Sequence, residues 1–322
     1  MEIVVIDGYT LSRDDLPWDR IEKLGNLTVY DRMGSDAVVE AAGKADIVLV
    51  NKVNIPSEII NQLLRLKFIA VTATGYDMVD IEAAAKRGIP VSNVPVYGTD
   101  SVAQFVFAFV LDFCNQISVH DSAVKAGQWA GAKDWCFWKT PQALLAGKKM
   151  GIVGFGRIGR RVGELAHAFG MDVLAYSPRG GALPEYGPFS WKTLPELFGE
   201  SDVVTLHCPQ TAENAKFVNG ELISRMKPGA LLINTSRGGL IDEEALALAL
   251  NQGIIAGAGV DVASIEPIRE GNPLLKARNV RITPHIAWSA FEARKKLMDV
   301  TVENIEAFLA GSPIHVVNAH LL

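Results

Sequence analysis

The stretch from Lys149 to Arg160 reads KMGIVGFGRIGR, and the fold turns on it. Gly151 to Val153 have the apolar character of a short buried strand, and Ile158, Val162, Leu165, Ala166 and Phe169 recur on one helical face. Strand and helix meet through Gly154, Gly156 and Gly159, a GxGxxG pattern whose three glycines have separate tasks. Gly154 permits the tight turn, Gly156 lets a pyrophosphate approach the backbone, and Gly159 lets helix and strand pack closely. An anion at that turn faces the helix N-terminus, where unpaired N–H groups and the macrodipole favour negative charge. The pattern predicts a dinucleotide-binding βαβ unit.

Downstream the unit repeats as DVLAYS (172–177), DVVTLH (202–207), GALLINTS (229–236), GAGVD (257–261) and VRITPH (280–285), the strands of a larger parallel sheet. Upstream, EIVVI, LTVY, DIVLV, LKFIAV and IPVS alternate between Met1 and about Val94 with helical stretches at 36–42, 56–64 and 81–87, predicting a second open parallel α/β sheet. A long apolar helix from about Ser101 to Val119 and an aromatic-rich stretch from Trp129 to Pro141 separate the two series. After His285, Ser289 and Glu292 form a capping-box pattern for a helix to about Ala310, closed by Gly311 and Pro313 and followed by the strand-like IHVVN (314–318). A helix arriving after the second sheet is complete can return to the first domain and make it discontinuous.

With 322 residues, 49% hydrophobic and 21% charged, the chain has material for two cores. The net charge of -5 argues against nucleic-acid binding, which needs Lys and Arg to neutralise phosphates. Cys114, Cys136 and Cys208 show neither CxxC nor zinc spacing, so no metal is expected and reduced thiols are. The chain opens on a strand rather than a charged start and apolar run, and Val102 to Cys114 is shorter than the roughly 20 residues of a membrane span. A cytoplasmic protein without membrane partners is expected.

Three segments that each follow a predicted strand carry the chemistry: Asn234-Thr235-Ser236-Arg237-Gly238-Gly239, Asp261 with Glu266-Pro267, and Thr283-Pro284-His285. In an open parallel sheet the carboxyl ends of the strands share one crevice. Arginine, carboxylate and histidine suit the reduction of a 2-oxo acid. Arg237 can grip the substrate carboxylate through two parallel hydrogen bonds. A protonated His285 can deliver a proton to the carbonyl oxygen as hydride arrives, and Glu266 can orient the imidazole. His207, which ends a strand of the same sheet, is the rival acid.

The segments VGFGRIGR, LHCPQTAENAKFVN, LINTSRGGLIDEEAL, GVDV with Glu266-Pro267, and ITPHIAW resemble the D-isomer-specific 2-hydroxyacid dehydrogenase family over essentially the whole chain. VVIDGYTL, ATGYDMVD and CFW most resemble its glycerate dehydrogenases, also called hydroxypyruvate reductases. The resemblance implies catalytic Arg237, Glu266 and His285 in a cleft between two α/β domains. One is a central, doubly wound Rossmann domain at 99–289; the other is a discontinuous, flavodoxin-like substrate domain at 1–98 and 290–322. It further implies that Arg157 and Ile158 meet the pyrophosphate, Cys208 and Pro209 the adenine side, Thr235 and Asp261 the nicotinamide side, and the Thr74-Gly75 backbone the substrate carboxylate. The activity implied is NAD(P)H-dependent reduction of a short 2-oxo acid such as hydroxypyruvate or glyoxylate.

The chain departs from the family pattern at two places. Ser177 stands where members using NAD carry Asp, and with Arg179 nearby this favours NADP(H). Val71 stands where phosphoglycerate dehydrogenases carry Arg, which disfavours phosphoglycerate. The apolar Val102–Cys114 helix with Trp129, Trp135, Phe137 and Trp138 predicts a homodimer, in which the resemblance has Trp138 reach the partner's substrate pocket. A nicotinamide-sensing, corepressor-like binding protein on the same fold is the alternative to an enzyme; the acidic chain without disordered flanks favours the enzyme.

Overall fold

Short runs of β-branched residues near the N-terminus form strands because both of their faces are covered. They are β1 (Glu2–Val5), β2 (Asn26–Val29), β3 (Ile47–Val50), β4 (Phe68–Val71) and β5 (Val91–Ser92), with helices α1 (Asp19–Glu22), α2 (Val38–Ala42), α3 (Ser57–Gln62) and α4 (Ile81–Lys86) between them. All are parallel, in the order β2-β1-β3-β4-β5. That is the flavodoxin-like order, and every residue of β3 and β4 is buried. The computed structural model describes residues 1–322 and divides into two compact units, Met1–Gly98 with Ser289–Leu322, and Thr99–Trp288.

The second unit opens with α5 (Thr99–Asn115) and α6 (Ile117–Lys125). It continues through β6 (Lys149–Val153), α7 (Arg157–Ala168), β7 (Asp172–Tyr176), β8 (Phe189–Trp191), α8 (Leu194–Glu200), β9 (Val203–Leu206) and α9 (Gly220–Ser224). It closes with β10 (Leu231–Asn234), α10 (Glu243–Gln252), β11 (Gly257–Val260) and β12 (Val280–Ile282). The sheet is parallel throughout, in the order β12-β11-β10-β9-β6-β7-β8. This is the doubly wound Rossmann arrangement with one strand added, and the order reverses between β6 and β9, where such sheets bind ligands. No single helix is long and apolar enough to cross a membrane.

The chain returns to the first unit through α11 (Phe291–Leu309). Its buried Ala293, Arg294, Leu297, Met298, Thr301, Val302 and Ile305 recur every three to four residues, so one stripe of the helix is covered. Phe308 stacks on Phe68 of β4 with ring centroids 4.5 Å apart. The Arg294 guanidinium holds the Asp15 carboxylate at both oxygens, with the Nη1–Oδ1 distance 2.8 Å, and keeps that carboxyl well below the usual range.

Several local expectations need correcting. The apolar helix predicted to run to Val119 breaks at Gln116, whose φ of 44° is left-handed and cannot continue an α-helix. The final helix begins after Ala290, which occupies the N-cap, so Ser289 does not hold the cap position that the Ser289–Glu292 pattern assigned to it. IHVVN is no strand; the tail pairs with β5 through a single antiparallel bridge, Ser92 with Val316. It is fixed instead by Asn318, which is fully buried, accepts from Val91 N–H at 2.9 Å and donates to the Ile89 carbonyl at 3.0 Å. Strand β8 went unpredicted because it is three half-buried residues, held by the packing of Phe189 and Trp191 on Phe155.

Two sets of substitutions test these contacts. Asn318→Leu keeps the volume but leaves the Val91 N–H without an acceptor, which costs about 1–3 kcal/mol, read from the urea midpoint; an unchanged midpoint would show that the tail is not held this way. In the second unit a Cβ on Gly159 would stand 2.2 Å from the Gly154 carbonyl oxygen, whereas one on Gly156 meets nothing within 4 Å. Gly159→Ala should therefore lower Tm by several degrees and Gly156→Ala should not, and equal losses would contradict this packing of the turn.

Candidate active site

The glycine turn after β6 is fixed by contacts that leave one side open. Gly154 has a φ of +95° and lies so close to the His207–Cys208 backbone after β9 that a Cβ would come within 2.6 Å of the Cys208 nitrogen. Gly159 is as tightly packed against Gly154. Gly156, the N-cap of α7, alone faces open space, and the Arg157 and Ile158 N–H groups behind it have no acceptor in the chain. Room for a ligand therefore exists where a pyrophosphate would lie.

The loop after β10 is shaped by Asn234, whose Oδ1 accepts from Ser236 N–H at 3.0 Å while its Nδ2 donates to the Arg237 carbonyl at 2.9 Å. Ser236 Oγ donates to the Cys208 carbonyl at 2.7 Å, tying this loop to the one after β9. Arg237 follows with an exposed side chain. Gly238 can only be glycine, since a Cβ would fall 1.9 Å from the Ala263 carbonyl carbon. That contact sets the Arg237 loop against the loop after β11.

Glu266 lies on that neighbouring loop. Its Oε1 accepts from Ala263 N–H at 3.1 Å and its Oε2 from His285 Nδ1 at 2.6 Å. The pairing fixes the tautomer, with Nδ1 donating to the carboxylate and Nε2 left to exchange a proton. His285 itself has a φ of 55°, and its N–H donates to the Asp261 carbonyl at 2.7 Å. The Asp261 carboxylate is buried and accepts from Thr283 Oγ1 at 2.6 Å and from the Ile286 and Ala287 N–H groups at 2.8 Å. Burial pushes this carboxyl above the usual range. Its hold on the 283–287 turn was not visible in the sequence, because nothing in the spacing shows where a carboxylate will fold back; the same is true of Asn234 and Gly238.

His207 is unsuited to the acid role. Desolvation holds its pKa down at about 3, so the ring is neutral near pH 7, and its Nε2 is paired with Thr205 Oγ1 at 2.9 Å. Two groups that follow β9 and β10, one half-buried and one buried, bear on a ligand. The Thr235 hydroxyl is buried without a hydrogen-bond partner, and burial raises the Cys208 thiol. A buried, orphaned hydroxyl after β10, in the same sheet as the glycine turn, fits a bound dinucleotide.

After β7, Ser177 is half-buried and begins a turn in which Gly180 N–H donates to its carbonyl at 3.0 Å. Arg179 projects into solvent. The cation built into this corner is Arg160, stacked over Phe155 and donating to the Ala182 carbonyl at 3.1 Å. Pro209 is exposed beyond Cys208, its carbonyl accepting from Asn214 Nδ2 at 2.8 Å. In the first unit Val71 is buried in the core, and the following Thr74 and Gly75 keep N–H groups with no acceptor in the chain. Trp138 is 70% exposed in the irregular stretch after α6.

Residues 107–287 match the profile of the D-isomer-specific 2-hydroxyacid dehydrogenase NAD-binding domain. The chain is 47% identical to a hydroxypyruvate reductase of Blautia hydrogenotrophica over 99% of its own length and 100% of that protein's. It is 40% identical to a glycerate dehydrogenase of Methylorubrum extorquens over 88% and 89% of the two lengths. Its structure matches an NADPH-dependent glyoxylate/hydroxypyruvate reductase of Sinorhizobium meliloti, solved with NADP and malonate, with a TM-score of 0.80 and 29% identity over 98% and 96% of the chains. The Arg237, Glu266 and His285 loops thus belong to a member of the D-isomer-specific 2-hydroxyacid dehydrogenase family.

Proposed function

We propose that this chain reduces hydroxypyruvate and glyoxylate to D-glycerate and glycolate, with the second unit binding NADPH and the first carrying substrate contacts. The observation that carries the reading is the 2.6 Å pair of His285 Nδ1 and Glu266, with Arg237 on the adjoining loop. The Arg157 and Ile158 amides beside Gly156 hold the pyrophosphate, Cys208 and Pro209 flank the adenine, and Thr235 and Asp261 lie on the nicotinamide side. A bound reduced nicotinamide supplies the hydride.

In the second unit Arg237 is the guanidinium that grips the substrate carboxylate and holds the carbonyl carbon for attack; in the first, the Thr74 and Gly75 amides are the donors open to that carboxylate. As the C=O π bond gives way to a new C–H bond, the negative charge on oxygen is met by the proton of His285 Nε2, leaving alcohol and neutral imidazole. Glu266 accepts from His285 Nδ1 and so fixes the direction of the imidazole and of its Nε2. The three cysteines are free thiols, which supports the cytoplasm as its place.

Steady-state assays against hydroxypyruvate, glyoxylate, pyruvate and 3-phosphohydroxypyruvate test the reading, the first two being expected to lead. His285→Ala should lower kcat roughly 10²–10⁴-fold with little change in NADPH affinity, and Arg237→Ala should chiefly raise KM for the acid. Near-full kcat in His285→Ala would show that the proton comes from another group.

NADPH is favoured over NADH because Ser177 puts no carboxylate against a 2′-phosphate and offers it a hydroxyl. Arg179 is exposed, so its pairing contributes only about 0–1 kcal/mol, less than a tenfold preference. Ser177→Asp should therefore shift the kcat/KM ratio towards NADH more than Arg179→Ala does. Ratios unchanged in both variants would show that this corner does not choose the cofactor.

A homodimer is inferred from the apolar surface on α6 and the stretch after it, where Ile117 is 74%, Trp135 86% and Trp138 70% exposed. Trp138 reaches the partner's substrate pocket in this assembly. Light scattering should return the mass of two chains, and Trp138→Ala should raise KM for hydroxypyruvate; a monomer at assay concentration would exclude both.

A further inference from the structure

Thr74 and Gly75, whose amides take the substrate carboxylate in the proposed function, lie on the loop that leaves β4. In the sheet β4 lies between β3 and β5, with β1 beyond β3. The loop after β1 sends a buried carboxylate to the loop after β3, and the loops after β3 and β5 each send a buried amide to the loop after β4.

On one side Asp7, after β1, is buried and accepts from the backbone N–H groups of Asn51 at 2.9 Å, Lys52 at 2.6 Å and Val53 at 3.2 Å. This fixes Asn51, whose Nδ2 donates to the Thr72 carbonyl at 2.6 Å. On the other side Val94 N–H donates to the Ala73 carbonyl at 3.0 Å, and Asn93 Nδ2 to the Thr74 carbonyl at 2.7 Å. Asn93 is held in turn, its own carbonyl accepting from Asn304 Nδ2 of α11 at 2.9 Å. Asn304 Oδ1 pairs with His315 Nδ1 at 2.8 Å.

A peptide unit is planar and trans, so its C=O and the following N–H point in opposite directions. Anchoring the Ala73 carbonyl therefore turns the Thr74 N–H away from the anchor, and anchoring the Thr74 carbonyl does the same for the Gly75 N–H. Both amides find no acceptor in the chain, on an exposed and a half-buried residue. Asn51, Asn93 and Asn304 are each under 9% exposed, and amides so buried cost free energy unless fully bonded. Resting on the carboxylate role of Thr74 and Gly75, we propose that Asn51, Asn93 and Asn304, anchored by Asp7 and His315, are positioning residues that hold the Thr72–Gly75 backbone as a preformed receptor for the substrate carboxylate. Donors already aimed at the anion need no reorganisation when it arrives.

The test uses the full-length protein and three variants. Asn93→Asp keeps the shape but removes the donor to Thr74; Asn304→Ala releases Asn93 and remains informative if the first variant does not fold; Gly75→Pro deletes one amide. The readouts are KM and kcat for hydroxypyruvate, the inhibition constant of oxamate, which presents the carboxylate without being reduced, and the NADPH dissociation constant. Asn93→Asp should raise KM and the oxamate constant about tenfold while kcat changes less than about threefold and NADPH affinity holds, with Asn304→Ala weaker in the same direction. Gly75→Pro should raise the same two constants. If it raises them and neither asparagine variant does, the proposal is overturned and the carboxylate role stands. If Gly75→Pro changes neither, that role is wrong and the proposal falls with it. Parallel losses in kcat or NADPH affinity in the asparagine variants would indicate general damage and overturn it as well.

Discussion

The carboxylate of Asp261 at the end of β11 carries the arrangement of the turn that presents His285 to Glu266. Buried and raised in pKa, it would be costly in isolation, and the hydrogen bonds from Thr283, Ile286 and Ala287 offset that cost. Those bonds close the 283–287 turn around its centre and sustain the left-handed backbone at His285, a conformation that costs about 1–3 kcal/mol and persists only where the surroundings enforce it. With the turn closed, the imidazole faces Glu266. Glu266 lies on the loop that Gly238 packs against at Ala263 and Ser264, so the loops of Arg237, Glu266 and His285 rest on one buried anion and one missing Cβ.

The same logic recurs at the other sheet with different chemistry. Asp7 ends β1 as Asp261 ends β11, and each collects backbone N–H groups from a loop that follows another strand of its sheet. In both units a parallel sheet brings several strand ends to one edge, and a buried carboxylate there organises loops that have no regular hydrogen bonding of their own.

Much of this was legible in the sequence because the signals were local. The strands β1 to β5 and β6 announced themselves as apolar runs, and Gly154, Gly156 and Gly159 as a turn with assigned tasks. Arg237, Glu266 and His285 could be picked out because each follows a strand whose end must lie with the others. What escaped depends on distant partners. Asn93 and Asn304 look like ordinary loop and helix residues until a chain separation of 211 positions is folded away between them. The break at Gln116 and the strand β8 were hidden for a related reason: a single left-handed residue and a three-residue edge strand leave no periodicity to read.

The return of α11 to the first unit has a consequence for how the molecule is made. Residues 99–288 form an uninterrupted segment whose contacts can close as soon as it has left the ribosome. The first unit cannot finish then. Arg294 meets Asp15 across 279 positions and Asn318 meets Val91 across 227, so its last helix and tail reach it only after the whole second unit has been made. Until that moment the face of β4 that carries Phe68 lacks Phe308, and the edge of β5 lacks the tail that covers it. An unfinished sheet with an open edge is a surface to which chaperones and neighbouring nascent chains bind. The discontinuous unit is thus the one whose sheet is covered last as the chain is made.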